Sequence, residues 1–210
     1  MIVYACKDSQ YIVPAVQSAR SWMPEEPVLV VDSDSRDTTY YDRVTALGAT
    51  VADARNRHYE TGAWWAAYQH SDATYFWFLH DSTVLTRSLA TWEAQPVTIP
   101  GTLKHWTGCN GDHVRRIAHY CTHSGYTVPN PYTGVFGSMF GCQRGVLDTL
   151  VAQHPRQCLP TNKFDSECME RLWGIALTNV GVDVPACMWG PYERMLEPSS
   201  PVRKFMARRP

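Results

Sequence analysis

The first 85 residues of the chain alternate between continuous apolar runs and segments whose apolar residues recur at helical spacing. The apolar runs predict four β-strands, over residues 2–6, 27–35, 50–54 and 75–85. The segments between them predict three helices, over residues 10–23, 36–49 and 62–70. Strands that alternate with helices indicate βαβ units, so we predict an α/β fold with a mostly parallel central sheet flanked by helices.

The remaining residues show a less regular pattern. Residues 95–135 are rich in Gly, Pro, His and Asn, which predicts loops around one helix over residues 113–123. The segment GVFGSMFGC (134–142) predicts a glycine-spaced strand, and a helix is predicted directly after it, over residues 144–153. Residues 162–177 predict an amphipathic helix with its apolar side chains on one stripe.

The fourth predicted strand carries polar residues at its C-terminal end. Its apolar run YFWFL predicts burial on both faces and leads directly into His80, Asp81 and Ser82. The second predicted strand ends in Asp32 and Asp34. Because ligands of parallel α/β sheets bind outside the carboxyl ends of the strands, we predict that these aspartates face one crevice. The alternative for each of them is a structural role as a helix cap or in an Asx-turn.

Charge and cysteine content narrow the class of protein. With 19 Lys and Arg against 20 Asp and Glu, the net charge is −1, which gives no overall field for nucleic acid or anionic membranes. Seven cysteines without a CxxC pair predict reduced thiols in a cytoplasmic protein. No apolar run approaches the roughly 18 residues of a membrane span, so no membrane insertion is expected. Positive charge is concentrated only in the C-terminal tail, at Arg203, Lys204, Arg208 and Arg209.

Four stretches, in this order, resemble glycosyltransferases of the GT-A fold, in particular the family-2-like enzymes that use nucleotide sugars. They are VLVVDSDSRDTT, RNRHYETGAWWAAYQHSDATYFWFLHDSTVL, GVFGSMFGCQRGVL and FDSECMERLWGIAL. The resemblance implies a single Rossmann-like GT-A domain over residues 1–210. Residues 1–90 would form its nucleotide-binding half, and residues 91–210 its acceptor-side half with the basic tail.

The resemblance also implies roles for individual residues. Asp32 and Asp34 would face the nucleoside, and Arg144 would lie beside the donor sugar, where the alternative is an ordinary surface arginine. Asp165 or Glu167 would take the proton from the acceptor hydroxyl, with Glu170 as a further candidate. The alternatives are a carboxylate favoured by the helix dipole at Asp165 and a surface ion pair with Arg171 at Glu167.

The metal-binding motif of the family is incomplete in this chain. Family members hold Mn²⁺ or Mg²⁺ on the donor diphosphate with a DxD motif, whereas this sequence has His80, Asp81 and Ser82. Asp81 is then the metal ligand, together with diphosphate oxygens and water. In the alternative, no metal takes part, and the departing diphosphate is stabilised by basic residues of the tail, namely Lys204, Arg208 and Arg209.

Two functions of different classes follow from the resemblance. The first is an enzyme that moves a sugar from a nucleotide-diphosphate donor to an acceptor hydroxyl, on a glycan, a protein or a hydroxymethylated base of phage-type DNA. The second is a non-catalytic nucleotide-sugar-binding module with a degenerate DxD motif. A separate minor hypothesis is a structural zinc site, because five potential ligands lie close together in sequence: Cys109, His113, His119, Cys121 and His123.

Overall fold

A computed structural model of the chain describes residues 1–104, 110–153 and 159–205. Within these residues the chain forms an α/β structure with a mostly parallel central sheet, which confirms the predicted fold class. The strands are β1 (Ile2–Cys6), β2 (Val28–Asp32), β3 (Thr50–Asp53), β4 (Tyr75–His80), β5 (Thr83–Leu85), β6 (Val97–Thr98), β7 (Thr102–Lys104), β8 (Thr133–Val135), β9 (Phe140–Gln143) and β10 (Val202–Lys204). The helices are α1 (Ile12–Trp22), α2 (Tyr40–Ala46), α3 (Tyr59–Gln69), α4 (Gly111–Ser124), α5 (Arg144–Gln153) and α6 (Lys163–Asn179).

The central sheet has six strands in the order β3-β2-β1-β4-β9-β6. The first four strands of this order are parallel, while β9 runs antiparallel to both of its neighbours. β1 therefore lies between β2 and β4, and the carboxyl ends of these three strands form one edge of the sheet. This edge is where the sequence placed the acidic strand ends.

The continuous apolar run of β4 correctly predicted burial on both faces of the sheet. All five residues from Tyr75 to Leu79 are buried. Their side chains alternate between two core clusters, one on each face of the sheet, and Phe76 and Phe78 pack in one of them while Trp77 and Leu79 pack in the other. Burial of such a side chain contributes about 1.5–3 kcal/mol, so this strand is a rigid support for the residues at its end.

Two predicted strands were too long. The strand predicted over residues 134–142 is broken, because Gly137 adopts a φ of +61° in a short 3₁₀ turn between β8 and β9. β8 pairs with β7, whereas β9 joins the central sheet beside β4. The strand predicted over residues 75–85 is divided into β4 and β5 by a turn at Asp81 and Ser82.

The C-terminal strand β10 lies beside the end of β4. It pairs antiparallel with β5, with Lys204 opposite Thr83. The backbone N–H of Phe205 donates to the carbonyl oxygen of Ser82 at 2.8 Å. The residues that follow His80 are thus covered by the C-terminal segment of the chain.

Two further expectations concern composition. The cysteines within the described ranges are thiols and form no disulfide with one another: Cys6, Cys121, Cys142, Cys168 and Cys187. None of the helices in those ranges is both long and apolar enough to cross a membrane.

Candidate active site

A cavity of about 240 Å³ opens at the carboxyl edge of the central sheet. It lies where β1 and β4 end, next to the first turn of α3. Its lining combines a lysine, two carboxylates and a histidine with small polar groups, and consists of Ala5, Cys6, Lys7, Ser33, Tyr59, Glu60, His80 and Asp81. Both signs of charge converge here, as a site for a charged and hydroxyl-rich ligand requires.

Asp81 is fixed at this edge by the chain after β1. Its backbone N–H donates to the carbonyl oxygen of Ala5 at 3.2 Å. Its carboxylate accepts hydrogen bonds from the Ser9 hydroxyl and the Lys7 backbone N–H. Burial nevertheless dominates and raises the pKa of Asp81 to about 6, since a charged carboxylate is costly in a poorly solvated position. The buried Asp81 carboxylate therefore favours a ligand that donates hydrogen bonds or carries positive charge.

Lys204 meets the motif at the end of β4. Its ammonium lies 3.2 Å from His80 Nδ1 and 3.1 Å from Ser82 Oγ. It also lies 5.5 Å from the centre of the Phe136 ring. Because an ammonium only donates, His80 Nδ1 accepts, and the proton of the neutral ring lies on Nε2. Burial and the charge of Lys204 lower the pKa of His80 to about 4, which keeps the ring neutral at physiological pH.

Glu60 reaches the same cavity from the first turn of α3. Its Oε2 accepts a hydrogen bond of 3.0 Å from Ser166 Oγ of α6, and its Oε1 lies 3.6 Å from His80 Nε2. Glu60 is not among the site residues predicted from the sequence, because an acidic residue in the first turn of a helix is expected from the helix dipole alone. No local signal in the sequence distinguishes it from such a residue.

The two aspartates after β2 lie at the same sheet edge as Asp81. Strand β1 separates them from β4, so their backbones stand about 10 Å from that of Asp81, two strand spacings away. Asp32 is buried, and its carboxylate is occupied by the Ser35 N–H and hydroxyl and by the Tyr41 hydroxyl. Asp34 has a side chain that is 49% exposed, 3.7 Å from Arg57. Asp34 is therefore the one of the two that is open to a ligand.

The acidic residues predicted as proton acceptors on α6 face away from the cavity. Asp165 is buried; its Oδ1 lies 2.9 Å from Arg116 Nε, while Oδ2 accepts from Thr161 and Asn162. Glu167 is 43% exposed and lies 3.5 Å from His113 Nε2 of α4. Through these contacts Asp165 links α4 to α6. The contacts do not fit the catalytic role that the sequence suggested for Asp165 or Glu167.

Replacing Asp165 tests this structural role. We expect Asp165→Asn to lower the free energy of unfolding by about 2 kcal/mol, because it removes the charge from a buried, multiply bonded carboxylate. Glu167→Gln is the matched control, and it should change stability by less than about 0.5 kcal/mol. Urea denaturation followed by circular dichroism measures both. Equal stability of the two variants would contradict the assignment.

Glu170 is the acidic residue of α6 that turns toward the site. Its Oε1 accepts from the backbone N–H of Gly137 at 3.0 Å, and its Oε2 from Arg171 at 2.9 Å. Burial raises its pKa, and the charge of Arg171 opposes that rise. Glu170 thus holds the 3₁₀ turn at Gly137, whose Cα is close enough to His80 that a Cβ there would meet the imidazole at 2.9 Å. Glu170 therefore positions the turn that packs against His80.

Arg144 lies at the opposite edge of the sheet. β9 is antiparallel to β4, and Gln143 pairs with Tyr75, the first residue of β4. Arg144 is thereby separated from the end of β4 by the length of that strand, about 17 Å. Its guanidinium donates to the carbonyl oxygens of Ala73 and Ser71. This position does not fit the donor-site role that the sequence suggested for Arg144.

The residues proposed for a zinc site do not converge. Asn110 caps α4, and the His113 side chain completes this cap by accepting from the backbone N–H of Asn110. Cys121 is buried in the core. The rings of His119 and His123 lie against each other on the helix surface, with centroids 4.1 Å apart and an angle of 53° between their planes. Across residues 1–104, 110–153 and 159–205, no three His, Cys, Asp or Glu side chains form a group that could hold a metal ion. Cys109, like Arg208 and Arg209 of the tail, lies outside the described residues.

A larger depression lies on α4 and α6, away from the sheet edge. Its volume is about 530 Å³, and its lining residues are Asp112, Arg115, Arg116, His119 and Phe164. Arg115 is paired with Asp112, and Arg116 with Asp165. Because these arginines already have carboxylate partners, the depression offers little free charge to a ligand. The cavity at the carboxyl edge is the better candidate site.

Comparisons with known proteins bear on the fold. No protein-family model and no curated protein sequence matches the chain. Among solved structures, the galactosyltransferase LgtC in complex with donor and acceptor sugar analogues is similar, with a TM-score of 0.55 and 10% identity over 99% of this chain and 87% of LgtC. S. aureus TarS (residues 1–349) gives a TM-score of 0.49 and 14% identity over 82% of this chain and 55% of TarS. The chain thus spans about half the length of this TarS fragment. The chain has the GT-A fold, as LgtC does.

Proposed function

We propose that the protein is a glycosyltransferase that moves a sugar from a nucleotide-diphosphate donor to an acceptor hydroxyl. The observation that carries the proposal is a cavity at the carboxyl edge of a GT-A sheet that is lined by Asp81, Glu60 and His80, with Lys204 in contact with His80. The fold that the chain shares with LgtC, whose structure contains donor and acceptor sugar analogues, is consistent with sugar transfer. The molecule that bears the acceptor hydroxyl can be a glycan, a protein or a hydroxymethylated DNA base.

The reaction sets two demands on the site. The bond between the anomeric carbon and the β-phosphate oxygen breaks, and its electron pair remains on the nucleoside diphosphate. The acceptor oxygen forms the new bond to the anomeric carbon and loses its proton to a base. Negative charge therefore grows on the diphosphate, where positive groups must stabilise it, and a base such as a carboxylate or an imidazole must receive the proton.

The groups around the cavity can meet these demands. The exposed Lys7 lines the cavity, and Lys204 contributes a second positive charge next to the lining residue His80. Asp81 can accept hydrogen bonds from donor hydroxyls, and Asp34 from the nucleoside, as acidic residues after parallel strands do in many nucleotide folds. Glu60 has an oxygen that faces the cavity, and we assign to it the proton of the acceptor.

Replacing Asp81 tests the proposal. We expect Asp81→Asn to reduce about tenfold the hydrolysis of a nucleotide sugar that the wild-type protein hydrolyses. The reason is that the hydroxyls of the donor sugar lose a hydrogen bond to a charged carboxylate. Since burial disfavours the charged form of Asp81, the asparagine variant should fold at least as stably. The measurement is nucleoside diphosphate released from a panel of UDP-, GDP-, ADP- and dTDP-sugars. Asp72→Asn, at an exposed position before β4, is the matched control.

The same assay separates the two functions. If the wild-type protein binds a nucleotide sugar but neither hydrolyses nor transfers it, the non-catalytic binding module is supported instead. If no nucleotide sugar raises the melting temperature or is hydrolysed, the proposal fails.

A further inference from the structure

We infer that Lys204 occupies the position of the divalent cation in this site, so that the protein binds its nucleotide diphosphate and stabilises the leaving group without a metal. The inference rests on the proposed function and adds to it the chemistry of the diphosphate subsite. Four observations carry it: the strand pairing that delivers Lys204, the state of the motif residues, the charges around the ammonium and its remaining donor.

The backbone delivers Lys204 to the motif. β10 pairs with β5, which begins immediately after Ser82, and Lys204 stands opposite Thr83. The next residue, Phe205, donates its N–H to the carbonyl oxygen of Ser82, and its ring stacks on Tyr11 at 5.8 Å. Lys204 is thus held in place by the strand pairing of β10 with β5 and by the anchored Phe205 that follows it. These backbone contacts direct the Lys204 side chain toward the residues after β4.

The motif residues offer a poor set of metal ligands. A hard cation such as Mg²⁺ needs about six oxygen ligands, several of them carboxylates or phosphates. His80 Nδ1 and Ser82 Oγ each face the Lys204 ammonium, at 3.2 and 3.1 Å. The proton of the neutral His80 ring lies on Nε2, so this nitrogen has no lone pair to give. Asp81 alone remains, and a divalent ion beside it would be repelled by the ammonium.

Carboxylates of the site favour the charged form of Lys204. Burial lowers its pKa, whereas the carboxylates of Asp81, Glu60 and Glu170 act in the opposite direction. These three carboxylates belong to three different parts of the fold, namely the end of β4, α3 and α6. A metal ion in a glycosyltransferase site plays the same part with carboxylates of the protein. Here the protein carries the positive charge on its own chain.

One donor of the ammonium is left for a ligand. A lysine ammonium has three N–H donors. Contacts within the described ranges account for two of them, to His80 and Ser82. The third can donate to a phosphate oxygen, and this bond strengthens as the anomeric C–O bond breaks and its electron pair moves onto the diphosphate. Lys7, which lines the cavity, can bring a second positive charge to the same group.

The test measures nucleotide binding with and without metal. The wild-type protein is titrated calorimetrically with UDP, GDP, ADP, CDP and dTDP, first in EDTA and then in MnCl₂. We expect the preferred nucleotide to bind in EDTA with an affinity within about threefold of that in Mn²⁺. Lys204→Met should weaken this binding about thirtyfold in EDTA, because a charge-assisted hydrogen bond is lost. Lys204→Arg should retain most of the affinity.

Two further variants make the result specific. Arg203→Met, on the same strand, removes a neighbouring charge that lies over Phe205 and should leave binding within about threefold. The double variant Lys204→Ala with Ser82→Asp removes the ammonium and adds a second carboxylate to the motif. We expect it to bind the nucleotide only when Mn²⁺ is present. Thermal unfolding confirms that each variant is folded.

The outcomes distinguish this inference from the proposed function. Wild-type binding that disappears in EDTA and returns with Mn²⁺ overturns the inference and leaves the proposed function standing. Unchanged binding in a folded Lys204→Met variant overturns it as well. If no nucleotide binds under either condition, the proposed function fails and the inference fails with it.

Discussion

Gly174→Ala should lower the free energy of unfolding by about 3 kcal/mol or more, although alanine is intrinsically the better helix former. A Cβ at position 174 would stand 1.7 Å from the carbonyl oxygen of Thr133 and 2.8 Å from its carbonyl carbon. Both are backbone atoms of β8, so no side-chain rotation can relieve the overlap. Helix α6 packs directly on β8 because residue 174 has no side chain.

Gly145→Ala is the matched control for this prediction. Gly145 also lies in a helix, α5, and a Cβ there would meet no atom within 4 Å. The substitution should raise stability by about 0.5–1 kcal/mol, because alanine loses less backbone entropy than glycine. Urea denaturation of both variants gives the two differences in unfolding free energy. Similar values for the two would contradict the packing of α6 on β8.

This packing also sets the geometry of the site. β8 leads into the 3₁₀ turn at Gly137. The carboxylate of Glu170 on α6 holds that turn by accepting a hydrogen bond from the backbone N–H of Gly137. The same helix contributes Ser166, which donates to Glu60. A displacement of α6 from β8 would therefore move two walls of the cavity together. We expect nucleotide binding by Gly174→Ala to weaken in parallel with its stability.

The sequence was most informative where local periodicity decides the structure. The continuous apolar run before His80 predicted a strand buried on both faces, and a strand of that kind in a βαβ series places its end at the ligand-binding edge. The position of Asp81 could thus be predicted from residues within one segment and the order of elements. The alternating apolar and helical segments were enough to predict the parallel part of the sheet.

The sequence was least informative where direction or distant pairing decides the structure. Arg144 follows β9, and no local pattern shows that β9 runs antiparallel to β4 and so ends at the other edge. Asp165 has the sequence context of a catalytic carboxylate and of a helix-terminal one alike, and only its contact with Arg116 separates the two. The delivery of Lys204 to His80 depends on a pairing between segments 124 residues apart.

Glu60→Gln should reduce nucleotide-sugar hydrolysis at least about a hundredfold, while the affinity for the nucleoside diphosphate changes by less than about threefold. A general base typically contributes a factor of about 10² to 10⁴. Glutamine keeps the size of the side chain and can still accept the hydrogen bond from Ser166, but it cannot take a proton. The neutral His80 beside it cannot substitute, since its Nδ1 already accepts from Lys204.

Glu167→Gln is the control for this final prediction, because it removes a carboxylate of the same type from the outer face of α6. Single-turnover release of nucleoside diphosphate, with water as the acceptor, measures the rate for both variants, and calorimetry measures their affinities. A normal rate in Glu60→Gln together with a large loss in Glu167→Gln would return the role of the base to α6. The half-exposed position of Glu167 and its contact with His113 argue against that result. A carboxylate can remove the acceptor proton only from within hydrogen-bonding reach, and of these two only Glu60 lines the cavity.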